Sequence, residues 1–353
     1  MKLISALKRR QADDQPGEVL DEAEKRRRAV GFFRGDTCNF NPSLAQHGDP
    51  GFLARHVLHG WLPERPLLTP GTRITAFGSC FAANITRHLL ERGFDLSAER
   101  EPNIHISRMM EALVNTWALL GQFEWAFGED PPDHALWHDW DGHDVGRDEE
   151  TRVRTRAVFA STEVFVITLG LSEVWVDEGS GGVFWRAVPA DRFDPARHRF
   201  RVSTVAENRA NLERIDALIR THVPGAKVLF TLSPVPLAAT FRPVSAITAN
   251  TVSKAILRAA LDEFLRERWD EVNRRLFYFP AYELVNELFA DRFNDDGRHP
   301  RRPVVEAIMQ VFDAFYCSGG PPPEAAEAGL NATRLDLARQ AARRARDLFG
   351  ENA

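Results

Sequence analysis

Short apolar runs alternate with segments of helical periodicity through the middle of the chain. Each run is apolar enough to form a strand buried on both faces, which is typical of parallel sheets. Strands that alternate with helices predict an α/β fold with a doubly wound parallel sheet. The predicted strands cover 73–77, 164–169, 227–232 and 276–279, and the predicted helices cover 82–90, 206–221, 253–269 and 304–315.

One segment interrupts this alternation with the pattern of a β-hairpin. The apolar runs 174–176 and 183–185 flank a glycine-rich loop, and such loops connect antiparallel strands. The hairpin would leave the end of the predicted strand 164–169. We therefore expect an inserted β-hairpin that forms a wall of a cleft.

Composition divides the rest of the chain. Residues 1–30 are dense in charge and are expected to form a tail or loose helix. Residues 31–70 carry aromatics and prolines without a period and predict an irregular lead-in. The α/β domain is expected to cover 71–318. An alanine- and arginine-rich helix at 319–353 would then serve for packing or for contact with a partner.

Charge and cysteine content exclude several classes of protein. A net charge of −5 over 353 residues, with scattered basic residues, argues against nucleic-acid binding. The 3 cysteines are widely spaced and predict neither a disulfide framework nor a zinc site. The apolar part of the N-terminus is too short for a signal peptide, and no segment is long enough to span a bilayer. We expect a cytoplasmic protein without stable membrane insertion or cofactor, with a basic amphipathic anchor at 1–10 as the alternative.

Two polar segments carry the candidate chemistry. Gly78-Ser79-Cys80 places a hydroxyl and a thiol at the end of the first strand, where open α/β sheets present nucleophiles. Further along the chain, Asp296 shortly precedes His299. At that spacing the carboxylate can accept a hydrogen bond from one ring nitrogen and leave the other as a base. Ser79 and Cys80 are both candidate nucleophiles, because a thiol near a helix N-terminus is activated.

The letters Gly-Ser-Cys-Phe-Ala at 78–82 are those that name the GSCFA family, and the chain resembles that family within the SGNH (GDSL-like) hydrolases. Segments at 168–175, 233–240, 278–283 and 296–299 extend the resemblance over about residues 70–315. The resemblance implies a flavodoxin-like, SGNH-hydrolase-like sheet. It also implies Ser79 as nucleophile, His299 as base, Asp296 as its partner and the Cys80 backbone N–H as an oxyanion donor. Cys80 as the nucleophile is the rival hypothesis.

The sequence leaves more than one candidate for the side chain that stabilises the oxyanion. Where the superfamily carries Gly-x-Asn-Asp, this chain has Gly170-Leu171-Ser172-Glu173 and therefore lacks the asparagine. Ser172 can donate one hydrogen bond, whereas an ionised Glu173 cannot donate. Asn103 is the alternative donor. Glu173 either binds a substrate hydroxyl or is an ion-paired carboxylate at the rim, and Gly170 is expected beside the substrate.

A loop rich in histidine, aspartate and tryptophan resembles a metal site in composition only. It has no helical or strand register that would converge the ligands, so we expect no metal. Trp137 and Trp140 are expected to form a surface or a substrate-facing edge. Lys254 is expected to be solvated at a helix start, and Arg242 either reaches an anionic group or lies on the surface. The polar residues of this loop are His134, His138, Asp139, Asp141, His143 and Asp144.

These features together predict a serine-dependent acyl-ester hydrolase or O-acyltransferase that works through an acyl-serine. The tryptophans and the resemblance favour a glycan or glycoconjugate ester, or a small-molecule ester, as the substrate. The missing asparagine motivates an alternative. In that hypothesis the chain is a non-catalytic carbohydrate-binding or assembly protein on a decayed hydrolase scaffold.

Overall fold

The computed structural model describes residues 38–109, 113–128, 136–139 and 141–349. The expected tail at 1–30, His134 and Trp140 lie outside the described residues. The chain divides into two compact units, one up to His59 and one from Gly60 onward. The first unit contains a 3₁₀ turn at Leu44–Gly48 and a π-helical turn at Leu53–Val57. Every candidate catalytic residue lies in the second unit.

A five-stranded parallel sheet forms the centre of the second unit, and a two-stranded antiparallel sheet stands beside it. The strands are β1 Arg73–Gly78, β2 Asp95–Leu96, β3 Val164–Leu169, β4 Glu173–Asp177, β5 His198–Val202, β6 Lys227–Leu232 and β7 Leu276–Phe279. The large sheet has the order β2-β1-β3-β6-β7. When only the strands of this sheet are numbered, the order is 2-1-3-4-5, as in flavodoxin. In such sheets the strand order changes direction between β1 and β3, and ligands bind at the carboxyl ends of those two strands. The α/β fold expected from the sequence is confirmed.

Helices flank the sheet in two groups. The bounds are α1 Cys80–Glu91, α2 His105–Arg108, α3 Thr116–Phe127, α4 Glu149–Ser161, α5 Val205–His222, α6 Ala246–Arg266, α7 Ala281–Leu288, α8 Arg302–Tyr316 and α9 Pro323–Phe349. One group consists of α3, α4, α5 and α6, and the other of α1, α7, α8 and α9, which pack on one another around α8. The four-residue helix α2 precedes α3 in the chain. In the described part of the chain, no helix combines the length and apolar character needed to cross a membrane.

The inserted hairpin is present, but its second strand differs from the expected one. β4 pairs antiparallel with β5, whereas Val183 forms only a single bridge to Val176. Phe184 and Trp185 are buried instead of lying on an exposed strand. Trp137, expected at a surface, is also buried, and its ring lies 5.0 Å from that of Trp185. A large aromatic ring stabilises the folded state more when it is removed from water than when it lies at a solvated edge. This explains the burial of Phe184 and Trp185 and that of Trp137.

Helix α6 begins earlier than the sequence pattern predicted. Ser245 is its N-cap, and the side chain accepts hydrogen bonds from the backbone N–H groups of Ile247 and Thr248. Lys254 therefore lies well inside the helix and is only 2% exposed. The expectation that Lys254 is solvated was wrong because it rested on the wrong helix start.

Gly78 allows the ends of β1 and β3 to approach closely. Its φ is 142°, and a Cβ atom added there would lie 2.2 Å from the carbonyl oxygen of Thr168. The next residue, Ser79, donates its backbone N–H to that same oxygen. Glycine is therefore required at the point where the chain leaves β1 and enters α1.

We expect Gly78→Ala to lower the free energy of unfolding by more than about 3 kcal/mol, because the collision is with backbone that cannot move aside. Urea denaturation measures the change. Gly93→Ala is the matched control, since Gly93 also has a positive φ of 76° but has nothing within 4 Å of an added Cβ. That control should lose about 1 kcal/mol. Equal losses in the two variants would contradict the steric argument.

Candidate active site

The N-terminus of α1 lies at the carboxyl end of β1 and carries the two candidate nucleophiles. Ser79 has an extended backbone and is the N-cap, and Cys80 is the first helical residue. The positive end of the helix dipole therefore points toward the Cys80 side chain and favours a negative charge there.

Ser79, which was expected to be the nucleophile, lies away from the accessible surface of the site. It is 3% exposed, and its Oγ accepts a hydrogen bond from the backbone N–H of Phe81 at 3.3 Å. Among the described wall residues of the two spaces at this edge of the sheet, Cys80 is present and Ser79 is absent. The Ser79 hydroxyl caps the helix, and Cys80 is the candidate nucleophile that borders the two spaces.

His299 and Asp296 form the close pair that their spacing predicts. The Nδ1 of His299 lies 2.5 Å from Oδ2 of Asp296, and the backbone N–H groups of Arg298 and His299 donate to Oδ1 of the same carboxylate. The hydrogen bond from His299, followed by these two backbone bonds, lowers the pKa of the Asp296 carboxyl to about 2. The carboxylate is therefore ionised at neutral pH and can only accept, so Nδ1 carries the proton. Nε2 is left as the basic nitrogen.

Two spaces meet at Cys80 and His299, which line both of them. The first, which we call the apolar cavity, has a volume of about 460 Å³ and lies between the β4–β5 hairpin and the loop after β6. The second, which we call the polar groove, has a volume of about 660 Å³ and runs between α1 and α8. Both volumes are in the range of small-molecule sites. The expected role of the hairpin as a cleft wall agrees with this placement.

The other expected oxyanion donors are engaged elsewhere or lie outside the site. The backbone N–H groups of Gly170 and Leu171 both donate to the carbonyl oxygen of Val114. Ser172 is fully buried, and its hydroxyl and N–H both bond to Ser253. Asn103 is exposed on a turn and, among the described wall residues, belongs to neither space.

Asn84 is a candidate donor that the sequence analysis did not identify. It lies one helical turn after Cys80 on α1, and together with Cys80 and His299 it lines the polar groove. Residues four apart in a helix share a face, so its carboxamide is presented on the same side as the thiol. The four-residue spacing from Cys80 was the signal available in the sequence.

Glu173 lines the apolar cavity and is 7% exposed. Its carboxylate accepts a hydrogen bond from the Thr240 hydroxyl at 3.0 Å, and a guanidinium nitrogen of Arg242 lies 4.0 Å away. Of the two interpretations of Glu173, the geometry matches the protein-paired carboxylate. Arg242 is therefore the cation next to that carboxylate.

Lys254 is buried beside Gly170, a wall residue of the apolar cavity, and has no carboxylate partner among its described contacts. Its ammonium group donates to the carbonyl oxygen of Gly170 at 2.7 Å. Burial is the main cause that lowers its pKa from 10.5 to about 7; the nearby Cys80 opposes the shift, and Arg298 adds to it. A buried ammonium is stabilised by an adjacent anion, and Cys80 is the ionisable acid that interacts with Lys254.

The histidine- and aspartate-rich loop forms internal hydrogen bonds. Asp139 accepts from the backbone N–H groups of Asp141 and His143, with the His143 ring 3.5 Å away. These three residues are the group whose ligand atoms lie close together in the described chain, and two of them are exposed. Asp144 instead pairs with Arg192.

The fold and the site define an α/β protein with a flavodoxin-like strand order and with a thiol and a carboxylate-bound histidine at the carboxyl edge of its sheet. The chain belongs to the GSCFA family, whose profile matches residues 73–312, from the start of β1 into α8. The family expected from the sequence is therefore confirmed, whereas the wider SGNH placement stays a prediction. Membership of this family suggests a hydrolase-like function. A search of curated proteins found no match.

Proposed function

We propose that this protein is a cysteine-dependent acyl-ester hydrolase or acyltransferase. The observation that carries the proposal is that Cys80 and His299 jointly line both spaces, while Asp296 holds the imidazole through Nδ1. Ser79 was the expected nucleophile, but its burial and its capping bond favour Cys80.

The proposed reaction has two covalent steps. His299 Nε2 takes the thiol proton, and the Cys80 sulfur attacks the ester carbonyl carbon to form a C–S bond. The C–O bond to the alcohol breaks, and the alkoxide receives the proton from His299. Water or a second hydroxyl then attacks the thioester, His299 takes its proton, and the sulfur leaves and is reprotonated. The net reaction is hydrolysis with water and acyl transfer with an alcohol.

Three groups support the charges of this reaction. The dipole of α1 and the Lys254 ammonium favour the thiolate, and Asp296 favours the imidazolium. Asn84 is the side chain that we assign as donor to the carbonyl oxygen as it becomes negative.

The test is to trap the acyl-enzyme. Wild-type protein mixed with p-nitrophenyl octanoate and quenched in acid should carry one octanoyl group on Cys80, located by peptide mass spectrometry. Ser79→Ala should give the same adduct, whereas His299→Ala should form it about 10³-fold more slowly because the base is missing. Cys317→Ala controls for a buried thiol outside the site.

An adduct on Ser79 would restore the serine mechanism expected from the sequence. The absence of any adduct, both from the ester and from a serine-directed fluorophosphonate, would favour the non-catalytic scaffold.

A further inference from the structure

The walls on the two sides of Cys80 have opposite character. The wall of the apolar cavity is mainly hydrocarbon, and the polar groove is lined by carboxamide, guanidinium, imidazole and carboxylate groups. The principal apolar wall residues of the cavity are Val114, Leu171, Trp175, Phe200, Val235 and Leu237. The polar wall residues of the groove include Asn84, Arg87, His88, Glu91, Asn294 and Glu306.

The mouth of the apolar cavity keeps a hydrophobic surface open to solvent. The rings of Trp175, Phe200 and Phe241 lie within 4.9–5.5 Å of one another, and Phe241 is 59% exposed. Two of the charged wall residues are held by protein atoms: Glu173 accepts from Thr240, and Arg298 donates to the Pro236 carbonyl. Arg186, a third charged wall residue, also interacts within the protein. An exposed aromatic cluster at the entrance of a mainly apolar cavity is suited to an aliphatic ligand.

The polar groove offers charges of both signs. Three of its side chains already have protein partners, since His88 contacts Asp313 and the Arg302 guanidinium donates to Glu306. Asn84, Arg87, Glu91 and Asn294 add donors and acceptors along the same wall. Mixed charge with interspersed amides fits a neutral, hydroxyl-rich group better than a strongly anionic one.

We propose that the substrate is an ester between an apolar alkanoyl chain and a polyhydroxylated alcohol, with the chain in the apolar cavity and the alcohol in the polar groove. This inference rests on the proposed function, because it places the scissile carbonyl at the Cys80 sulfur between the two spaces. The orientation follows from the order of the covalent steps. The acyl group must stay after the first step, and the groove with its polar walls is the side from which alcohol leaves and water enters.

Chain-length preference tests the cavity. Wild-type protein should cleave p-nitrophenyl octanoate faster than the butyrate and acetate esters, with kcat/KM rising by up to about fourfold per buried methylene. Leu171→Trp narrows the cavity and should move the preferred chain toward butyrate. Leu171→Ala widens it and should move the preference toward dodecanoate. Opposite shifts in two variants cannot arise from a general loss of folding.

The alcohol side is tested separately. Arg87→Ala should raise KM for sucrose monooctanoate at least fivefold more than it raises KM for p-nitrophenyl octanoate, because only the former fills the groove with hydroxyl groups. An equal effect on both esters would overturn the assignment of the groove.

Binding without chemistry separates this inference from the proposed function. Calorimetry should show that Cys80→Ala binds decanoate at least tenfold more tightly than acetate. Adding Leu171→Trp to this variant should abolish the difference in affinity. If this variant binds decanoate selectively but the wild type cleaves no ester, the cavity stands and the proposed function fails. If esters are cleaved through Cys80 with no chain-length shift and no selective decanoate binding, the inference on the substrate is overturned and the proposed function stands.

Discussion

Cys80→Ala should lower kcat/KM for p-nitrophenyl octanoate by about 10⁴-fold or more, because the variant retains the binding surfaces but cannot form the thioester. Cys80 lines both spaces and is the first residue of α1, whereas Ser79 is the cap, so removal of the thiol leaves the helix and its cap in place. Steady-state kinetics at saturating and limiting ester concentrations measures the loss.

Ser79→Ala is the matched control at the neighbouring position. Since Ser79 caps α1 through the N–H of Phe81, the variant should lose about 1 kcal/mol of stability but less than about tenfold in kcat/KM. Cys317→Ala, a buried thiol away from the site, should retain activity. An active Cys80→Ala beside an inactive Ser79→Ala would refute the thiol mechanism.

Lys254→Met should remove a specific pH dependence of stability. Burial holds the pKa of Lys254 at about 7 in the folded protein, against 10.5 in the absence of burial. Between these values the unfolded chain binds the proton and the folded protein does not, so this residue makes wild-type stability rise with pH. The difference in free energy of unfolding between wild type and variant should therefore change by about 1.4 kcal/mol per pH unit across this range. Urea titrations at several pH values measure it.

The same variant should also lose reactivity. Without the ammonium, the Cys80 thiolate is less favoured, and kcat/KM should fall by about 10²-fold near neutral pH. The two pH–rate profiles should converge well above pH 7, because Lys254 of the wild type is itself neutral there. Lys227→Met, a partly buried lysine at the start of β6, is the control and should change neither profile. Parallel profiles for wild type and Lys254→Met would show that the lysine has only a structural role.

The parallel sheet could be predicted from the sequence because its strands are buried on both faces. The runs 164–169, 227–232 and 276–279 contain almost no polar interruption, and the structure places β3, β6 and β7 at those positions. Helix α3 was not predicted, since nearly every side chain in it is buried and no apolar stripe alternates with a polar one. The helical alternation of apolar and polar positions depends on one solvent-exposed face, so it is absent from a helix that is buried on all sides.

The Asp296–His299 pair of the candidate site could be predicted from the sequence, but the burial of Ser79 and of Lys254 could not. The Asp296–His299 spacing predicts the hydrogen bond that the structure contains. The choice between Ser79 and Cys80 depends on which residue begins α1, because the chain changes from extended to helical at that step and adjacent side chains then point in different directions. Lys254 was misplaced for a related reason, since the cap at Ser245 adds two helical turns before the predicted start of α6.

The junction of the two spaces has a consequence for the products. Once the alcohol departs, Cys80 would hold an acyl group whose chain lies in the apolar cavity, and the polar groove would be open to water. Water and any hydroxyl compound that occupies the polar groove would then compete for the same thioester. Under the proposed chemistry, hydrolase and transferase are therefore two outcomes of one intermediate, and the ratio of products depends on how well an acceptor fits between α1 and α8.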